Sequence, residues 1–457
     1  MNNKNSELLN NMDVKKLLIR LSIPATMGMI VNGLYNLMDS LFVALSEGEL
    51  AVGALALAFP VQMIVMAVGL MIGIGAASVF SRAYGRGDRD LMTKTVNTAL
   101  RFDFFTALFV TVIATLMLPQ LLNFFGASDN NYDYAYSYLR IIIIGLVPLT
   151  LSMVLNNLTR AEGRAKIAMI SMILGTGLNI VLDPIFIFDW GLGLGVQGAA
   201  LATVISQVIA FLFIFSKSFA SDSVLNINLK GIIKMDLNAL KQIVIIGLPT
   251  FIRNSVGAFL AIAIYNIIGY YVIGDPAIYV SIYGVINRII FFVYMPAFGL
   301  VQGLTPIAGF NFGAKNYKRL RDVIIYTTKI ITVYFILGFI FIQVFSPMLF
   351  DLFSKENDAF FIEYGAQTFR IISYGMLIIS FQIILGSIYQ SFGYPRKAMF
   401  ISLSRQFIFF IPLVAILTYF FQLDGLWYTF IAADVLSGII SIFLLRHELK
   451  VLKLKIN

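Results

Sequence analysis

The chain has 457 residues, of which 59% are hydrophobic and only 12% are charged. A soluble domain carries roughly 25% charged residues, so this composition favours an integral membrane protein. The absence of cysteine excludes disulfide and thiolate chemistry, and the single histidine, His447, stands in a polar stretch near the C-terminus. Histidine-based catalysis and histidine metal sites are therefore not expected.

Long apolar stretches separated by polar breaks predict twelve membrane-spanning helices, and hence an all-α integral membrane fold. An even number of spans places both termini on the same side of the membrane. The predicted spans are 17–45, 53–80, 97–118, 138–159, 166–189, 197–217, 242–272, 278–302, 323–346, 366–391, 398–421 and 425–446.

Lysine and arginine concentrate in the two tails and in alternate loops. By the positive-inside rule these loops and both termini lie in the cytoplasm, so the net charge of +9 reports topology and not nucleic-acid binding. No cleaved signal peptide is expected, because the first apolar run is long enough to span. The basic loops are 82–101, 160–166, 217–241, 315–329 and 396–405, whereas 46–52, 119–137, 190–196 and 422–424 have no basic residue.

The second half of the chain repeats the first at a spacing near 228 residues. Tyr84-Gly85 corresponds to Phe312-Gly313, and Gly163 corresponds to Gly393. The repeat predicts an N-lobe at 1–217, a cytoplasmic linker at 218–241 and a C-lobe at 242–457, with six spans in each lobe. Many transporters are built from two such halves with the substrate path between them.

Four polar side chains fall at similar depths in the N-lobe: Asp39 in span 1, Asn179 and Asp183 in span 5, and Thr203 in span 6. At 1.5 Å per residue, Asp39, Asp183 and Thr203 lie ~9–10 Å below the outer surface, with Asn179 one turn deeper on the Asp183 face. Further polar residues on the faces of spans 1 and 6 are expected to support this cluster, namely Asn32, Tyr35, Asn36 and Gln207.

Intramembrane acids are costly and usually functional, so this cluster predicts a chamber for a proton or a hard cation such as Na⁺. Pro184 adds a possible ligand, because it frees the carbonyl of Ile180. The alternative is that both acids only hydrogen-bond neighbouring helices. The internal repeat argues against that alternative, because the equivalent C-lobe positions are apolar: Ile264, Phe409, Leu413 and Ala433.

One further acid, Asp434, lies inside span 12. Arg288 in span 8 has a similar depth, and an unpaired intramembrane ion would be costly. We therefore predict a structural ion pair between Arg288 and Asp434 in the C-lobe.

Three stretches resemble the multidrug and toxic compound extrusion (MATE) family, in its bacterial MepA-like branch, and the likeness extends over essentially the whole chain. LNIVLDPIFIF resembles the span-5 signature of that family, and LYNLMDSLFVAL resembles the span-1 signature, with Ser40 and Ala44 as mild departures. The most specific stretch is VQGLTPIAGFNFGAKN, which contains Gln302, Pro306, Gly309, Asn311 and Gly313.

The resemblance implies two six-helix lobes in a V and a secondary antiporter, not an enzyme, in the cytoplasmic membrane of a bacterium. Such proteins expel small organic, often cationic, compounds in exchange for Na⁺ or H⁺. It implies that Asp39, Asn179, Asp183 and Thr203 form the cation site, and that no cofactor beyond the coupling ion is needed. An acid pair that some members carry in spans 7 and 10 is not evident here. The expected partners are the bilayer and the substrate, with no nucleic acid, and a monomer is expected.

Two rival functions are considered. A flippase for lipid-linked oligosaccharides shares the lobed architecture, but it is expected to carry several cleft Arg or Lys for pyrophosphate, whereas only Arg253 and Arg288 are predicted inside spans. An intramembrane aspartyl protease would use two acids, which Asp39 and Asp183 supply, but it does not require a duplicated twelve-span frame. No GxxxxGK[ST] loop is present, so ATP coupling within this chain is not supported.

Overall fold

The computed structural model describes residues 4–47, 49–124, 132–228, 235–272, 276–354 and 358–456. Within these ranges the side chains of residues 4–5, 35–37, 40, 44, 49–61, 124 and 258 lie outside the description. Every regular element described is a helix, which confirms the predicted all-α class. The α-helices are α1 (Lys4–Asn11), α2 (Val14–Glu47), α3 (Glu49–Arg86), α4 (Arg89–Leu116), α5 (Leu118–Phe124), α6 (Tyr132–Ile142), α7 (Leu146–Ala161), α8 (Ala165–Ile187), α9 (Gly195–Ser218), α10 (Leu237–Tyr271), α11 (Ala277–Gly313), α12 (Tyr317–Asp351), α13 (Ala359–Ser373), α14 (Met376–Phe392), α15 (Pro395–Leu403) and α16 (Ile411–Leu454), with a 3-10 turn at Ile143–Gly145 and a π-helical segment at Ser404–Phe410.

Ten helical stretches of the described chain are long and apolar enough to span a membrane, and α13 with α14, bent by 49°, forms an eleventh. One of the ten, Pro395–Leu454, has 60 residues. A straight helix of that length would be about 90 Å long, roughly three times the hydrocarbon thickness of a bilayer. The stretch must therefore contain two spans.

Gln422 supplies the break in this long stretch, because its backbone has φ 52° and ψ −130°. Gly425 packs against the carbonyl oxygen of Leu417, eight residues earlier, so closely that a Cβ at Gly425 would overlap it. A straight helix would separate these two residues by about 12 Å. The chain thus folds back on itself at Gln422, and the parts of Pro395–Leu454 before and after this residue correspond to the last two predicted spans.

The largest error in the predicted span boundaries concerns α11. The sequence interpretation ended the eighth span at residue 302, whereas α11 continues to Gly313 and includes Pro306. The continuation is possible because Pro disrupts only one helical hydrogen bond and neighbouring helices are available to pack against it. The whole VQGLTPIAGFNFG stretch is therefore helical.

Glycines allow the two lobes to pack closely. Gly75 of α3 lies against the Ile243 carbonyl of α10, and Gly247 of α10 lies against the Met71 carbonyl of α3. A Cβ at either glycine would overlap the opposing oxygen. Small residues are the usual means of bringing membrane helices into contact, because hydrocarbon lipid provides no hydrophobic drive for association.

A second glycine crossing joins α3 to α11 and follows the internal repeat. Gly85 packs against the Phe310 carbonyl, and Gly313 packs against the Arg82 carbonyl. Gly85 and Gly313 are 228 residues apart, which is the repeat spacing. Equivalent positions of the two lobes therefore make reciprocal contacts, as expected for a pseudo-two-fold arrangement. We call the contacts of Gly75, Gly85, Gly247 and Gly313 the glycine seam.

The glycine seam extends toward the end of the molecule that carries the predicted basic loops, here called the basic end. Arg82 contributes there by donating to the carbonyl oxygen of Phe392 at 3.0 Å, at the C-terminus of α14. A cation at a helix C-terminus is stabilised by the helix dipole and by the unpaired carbonyls. The side chain thus ties the N-lobe to a C-lobe helix.

The first part of the linker is held on the N-lobe at this same end. Glu162, in the turn between α7 and α8, accepts hydrogen bonds from the Val224 N–H at 2.8 Å and from the Ser223 hydroxyl at 3.1 Å. Asn97 of α4 accepts from the Asn228 N–H at 2.7 Å. Burial raises the pKa of the Glu162 carboxyl, while the Val224 N–H and Arg164 oppose that rise.

Gly313→Ala tests the seam. The added Cβ meets backbone and not a flexible side chain, so we expect overpacking to destabilise the protein by about 1–3 kcal/mol. Gly269→Ala is the matched control, because no atom lies within 4 Å of its Cβ position and alanine favours the helix. Thermal unfolding in detergent should show a lower midpoint for Gly313→Ala alone. Equal midpoints for the two variants would show that the seam tolerates a Cβ.

Candidate functional site

Three helices of the N-lobe, α2, α8 and α9, pack against one another and bring the predicted polar cluster together. Asn179 connects it: its Nδ2 donates to Oδ1 of Asp183 at 2.9 Å and to Oγ1 of Thr203 at 3.1 Å. Asp39 approaches from α2, close enough for its charge to act on Asp183. The four residues predicted from separate stretches of sequence therefore form one cluster, here called the N-lobe chamber.

The chamber is closed to solvent and short of hydrogen-bond donors. Asp183 is fully buried, and Asp39, Asn179 and Thr203 are at most 7% exposed. Within the described chain, Oδ1 of Asp39, Oδ1 of Asn179 and Oδ2 of Asp183 have no hydrogen-bond partner. All three are acceptor oxygens, and buried acceptors require a partner of positive character.

The local sequence explains how α8 and α9 come close enough to share Asn179. Gly198, in the first turn of α9, packs on the Phe186 carbonyl near the end of α8 with no room for a Cβ. Gly175 of α8 lies against Ala210 of α9, again with small side chains on both sides. Pro184 stands inside α8, where its missing N–H leaves the Ile180 carbonyl without its helical donor.

The predicted supporting residues have different outcomes. Asn32 is half-buried on α2, seven residues before Asp39, so it lies two turns away on a similar face. Gln207 is half-buried on α9 with its Oε1 against Gly145. The side chains of Tyr35 and Asn36 lie outside the described residues. Their participation in the chamber stays a prediction.

The donor set of the chamber decides which ions it suits. Carboxylate, amide and hydroxyl oxygens are hard ligands that suit a proton or an alkali or alkaline-earth cation, and not a soft transition metal. The described residues contain no group of three or more His, Cys, Asp or Glu that could hold a metal ion. The three acceptor oxygens without a protein partner are available to a guest of this kind.

The C-lobe has no corresponding chamber among the described residues. The repeat-equivalent positions are apolar, and two of them, Ile264 and Ala433, are buried in the hydrophobic core. Phe409 and Leu413 pack against that core. The same scaffold is therefore stable without the polar set, which makes a purely architectural role for Asp39 and Asp183 a weaker explanation.

The buried acid of the C-lobe is paired, but not with the predicted partner. Asp434 is 3% exposed and forms an ion pair with Arg405, whose Nη2 lies 3.4 Å from Oδ2 and whose Nε makes a shorter contact with Oδ1. The predicted pair of Arg288 and Asp434 was wrong. Arg288 is exposed and lines a cavity of about 660 Å³ with Asp358 and Phe353, at the outer part of α11.

The error has a physical cause in the backbone. Arg405 falls where the predicted basic loop 396–405 overlaps the predicted span 398–421, and the structure places it in the π-helical segment Ser404–Phe410, inside the long stretch that spans the membrane. A π-helical turn inserts an extra residue and re-aims the side chains that follow. Gly375, at the bend between α13 and α14, leaves room for the Asp434 carboxylate, which a Cβ there would overlap.

The motif residues of α11 are structural in this arrangement. Gly309 faces Ser81 of α3, and Gly313 belongs to the glycine seam. Asn311 is fully buried and donates to the Ile307 carbonyl at 2.8 Å, one turn after Pro306. Gln302 has its Nε2 3.2 Å from the sulfur of Met29 on α2. The motif therefore lies at the crossing of the two lobes, away from the chamber.

A double-mutant cycle tests the Arg405–Asp434 pair. Removing one partner leaves a buried charge uncompensated, so Asp434→Leu alone should destabilise the protein by about 3–5 kcal/mol. Arg405→Met with Asp434→Leu should recover most of that loss, because the double variant buries no charge. Thermal unfolding in detergent measures both. Additive losses would show that the two side chains do not stabilise each other.

The chain is similar in sequence to known membrane transporters. The MatE family model matches residues 24–185 and 249–416. The multidrug export protein MepA of Staphylococcus aureus (strain MSSA476) is 27% identical over 441 residues, which cover 96% of this chain and 95% of that protein.

Solved structures give the same fold. One described as the outward-facing conformation of a multidrug resistance MATE family transporter of the MOP superfamily has a TM-score of 0.90 at 27% identity, covering 98% of this chain and 99% of that one. A MOP superfamily transporter from Pyrococcus furiosus, whose reversed pocket polarity is described as suggesting a different function, also has a TM-score of 0.90, at 28% identity and the same coverage. The two ranges of the family match take in most of the chain and fall in both of its halves. The chain belongs to the MatE family and is a multi-pass membrane transporter, not an enzyme.

Proposed function

We propose that this transporter exports small organic compounds, often cationic, in exchange for Na⁺ or H⁺ bound in the N-lobe chamber. The observation that carries the proposal is the chamber itself: two buried carboxylates, Asp39 and Asp183, within electrostatic range of each other and with oxygens that have no protein donor. Two like charges in a low-dielectric interior are strongly unfavourable unless a proton or cation intervenes. A guest ion is the simplest partner.

The orientation of the protein follows from charge. The basic end carries the Lys- and Arg-rich loops, and the positive-inside rule assigns it to the cytoplasm of a bacterial cell. Both termini then lie in the cytoplasm, and the chamber lies in the outer half of the bilayer. An ion entering from outside has the shorter path to it.

Binding at the chamber can be coupled to movement through packing. With Asp39 and Asp183 ionised, α2 and α8 carry mutually repelling charges, and a proton or Na⁺ removes that repulsion. Tighter packing of α2 on α8 and α9 alters the contacts that α2 makes with α11 of the other lobe, where Gly299 and Gly303 face Thr26 and Ser22. Drug and ion thus favour different states, as thermodynamic linkage requires for exchange.

The proposed substrate class depends on similarity to a relative more than on the geometry of the chamber. It draws on the multidrug export protein MepA, which the chain resembles over most of its length. The Pyrococcus furiosus transporter has the same fold but is described as having a pocket of reversed polarity and a different function, so the shared fold does not determine the cargo.

The main test uses purified protein in liposomes with ethidium as the cargo and with Na⁺ and pH gradients imposed separately. Asp183→Asn removes one of the two charges and should reduce gradient-driven transport by about a hundredfold or more, since intramembrane acids of this kind bind the ion directly. Asp189→Asn is the matched control, because Asp189 is exposed six residues along the chain. Unchanged transport in Asp183→Asn would contradict the assignment. Scrambling of a lipid-linked sugar without cation transport would favour the flippase.

Thr203 distinguishes the two coupling ions. A hydroxyl oxygen can ligate Na⁺, whereas a proton on either carboxyl has no need of it. If Na⁺ is the coupling ion, Thr203→Val should weaken the Na⁺ dependence of transport about tenfold, which corresponds to one lost interaction of about 1.4 kcal/mol. Thr203→Ser keeps the oxygen and is the control. With proton coupling, both variants should depend on pH as the wild type does.

A further inference from the structure

We propose that Asp103 of α4 is a second proton-binding group of the transport cycle, placed between the N-lobe chamber and the basic end. This inference rests on the proposed exchange with a coupling ion. Asp103 is 1% exposed, and neither of its carboxylate oxygens has a hydrogen-bond partner among the described residues. It is the only acid of the described chain with both oxygens in that condition.

The surroundings of Asp103 supply no compensating charge. The helices α3, α7 and α10 pack against α4, and their described charged side chains are Arg82, Arg86, Arg160, Lys241 and Arg253. None of them forms an ion pair with Asp103 in the part of the chain described. The nearest base along α4, Arg101, donates instead to the Asn228 carbonyl of the linker at 2.8 Å.

Thr150 of α7 lies close enough to the carboxylate for its hydroxyl to act on it, and that hydroxyl also lies within donating distance of the Val147 carbonyl, at 3.3 Å. Two carboxylate oxygens and one hydroxyl are too few for a hard metal cation, which takes six or more oxygens in the best-known sites. An ionised, unpaired carboxylate inside the bilayer is costly. The guest that the site fits is a proton, which converts Asp103 to a neutral carboxyl group.

Polar side chains lie at intervals along α9 and α7 between the chamber and Asp103. Gln207 lies one turn beyond Thr203 on α9, about 6 Å along the axis, and its side chain rests against Gly145. Thr150 is five residues beyond Gly145, about 7.5 Å further toward the basic end. The α4 and α7 segments run antiparallel, because Asp103 lies beside Thr150 whereas Thr111, later on α4, lies 3.4 Å from the carbonyl oxygen of the earlier residue Ile143.

A polar residue continues the path on the other side of Asp103. Thr95 lies two turns nearer the basic end on the same face of α4, fully buried, and its hydroxyl has no partner among the described residues. The other residues at four-residue spacing on this face are small. Ala99 lies between Thr95 and Asp103, and Ala107 follows Asp103. Asp103 is therefore placed to take a proton from the chamber side and to release it to water at the basic end.

Asp103→Asn separates proton binding from packing. Asparagine has the shape of a protonated aspartic acid but cannot release a proton. If Asp103 were only a buried neutral group, Asp103→Asn should transport like the wild type. As a proton-transfer group, its loss should slow pH-gradient-driven ethidium transport in liposomes by about a hundredfold, the lower limit of what such groups contribute. Equilibrium ethidium binding should be unchanged, and Asp90→Asn, an exposed acid on the same helix, should behave as wild type.

Two further measurements keep the outcomes distinct. Asp103→Glu keeps a titratable group, so transport should persist with a shifted dependence on pH. Infrared difference spectra between acid and alkaline pH should contain the C=O stretch of a buried carboxyl in the wild type that Asp103→Asn lacks. Wild-type transport in Asp103→Asn, or identical spectra, overturns the inference. If the wild type shows no gradient-driven transport at all, the proposed function is overturned instead. The infrared spectra would still decide whether Asp103 binds a proton.

Discussion

A carboxylate inside a bilayer must be paired, protonated or bound to a cation, and this one constraint distinguishes the two lobes. In the C-lobe, Asp434 satisfies it with Arg405, so that its charge is compensated within the protein. In the N-lobe, Asp39, Asp183 and Asp103 are buried with oxygens that no described side chain or backbone group satisfies. Under the proposed function, a mobile proton or cation supplies the missing partner in the N-lobe, whereas Asp434 has its partner within the protein.

The duplicated scaffold makes this difference informative. Both lobes use equivalent glycines, such as Gly85 and Gly313, to cross at the basic end, where a Cβ would meet backbone atoms. A rigid seam with backbone-to-backbone contacts suits a transporter that alternates between two conformations, because packed interfaces switch between discrete arrangements and do not deform continuously. The lobes thus share the structural part of the mechanism, and the acids of one lobe supply its sensitivity to ions.

Sequence alone predicted the fold and the chamber well, because both depend on signals that are local or periodic. Hydropathy predicts the membrane spans, and the asymmetry of Lys and Arg predicts which end of the molecule faces the cytoplasm. The four-residue spacing of Asn179 and Asp183 predicts that they share a helical face. It failed where the backbone departs from the ideal helix. The partner of Asp434 was missed because a π-helical segment cannot be read from side-chain periodicity, and the end of α11 was missed because that helix continues through Pro306 to Gly313. Asp103 was passed over because it follows a basic stretch by only two residues.

The positions of the three N-lobe acids suggest why exchange would need more than one of them. If Asp39 and Asp183 alone bound the ion, release toward the basic end would require the chamber to open on that side, past the buried layer that includes Ala99, Ala107 and Leu155. A titratable group part of the way along shortens each step, and proton transfer between positioned polar groups needs no wide aqueous opening. The same geometry would not pass Na⁺, because the stretch between Gln207 and Asp103 offers too few oxygens to replace its hydration. In the proposed cycle, Asp103 thus links the choice of coupling ion to the packing of α4 on α7, and the spacing of side chains favours release of a proton over release of Na⁺.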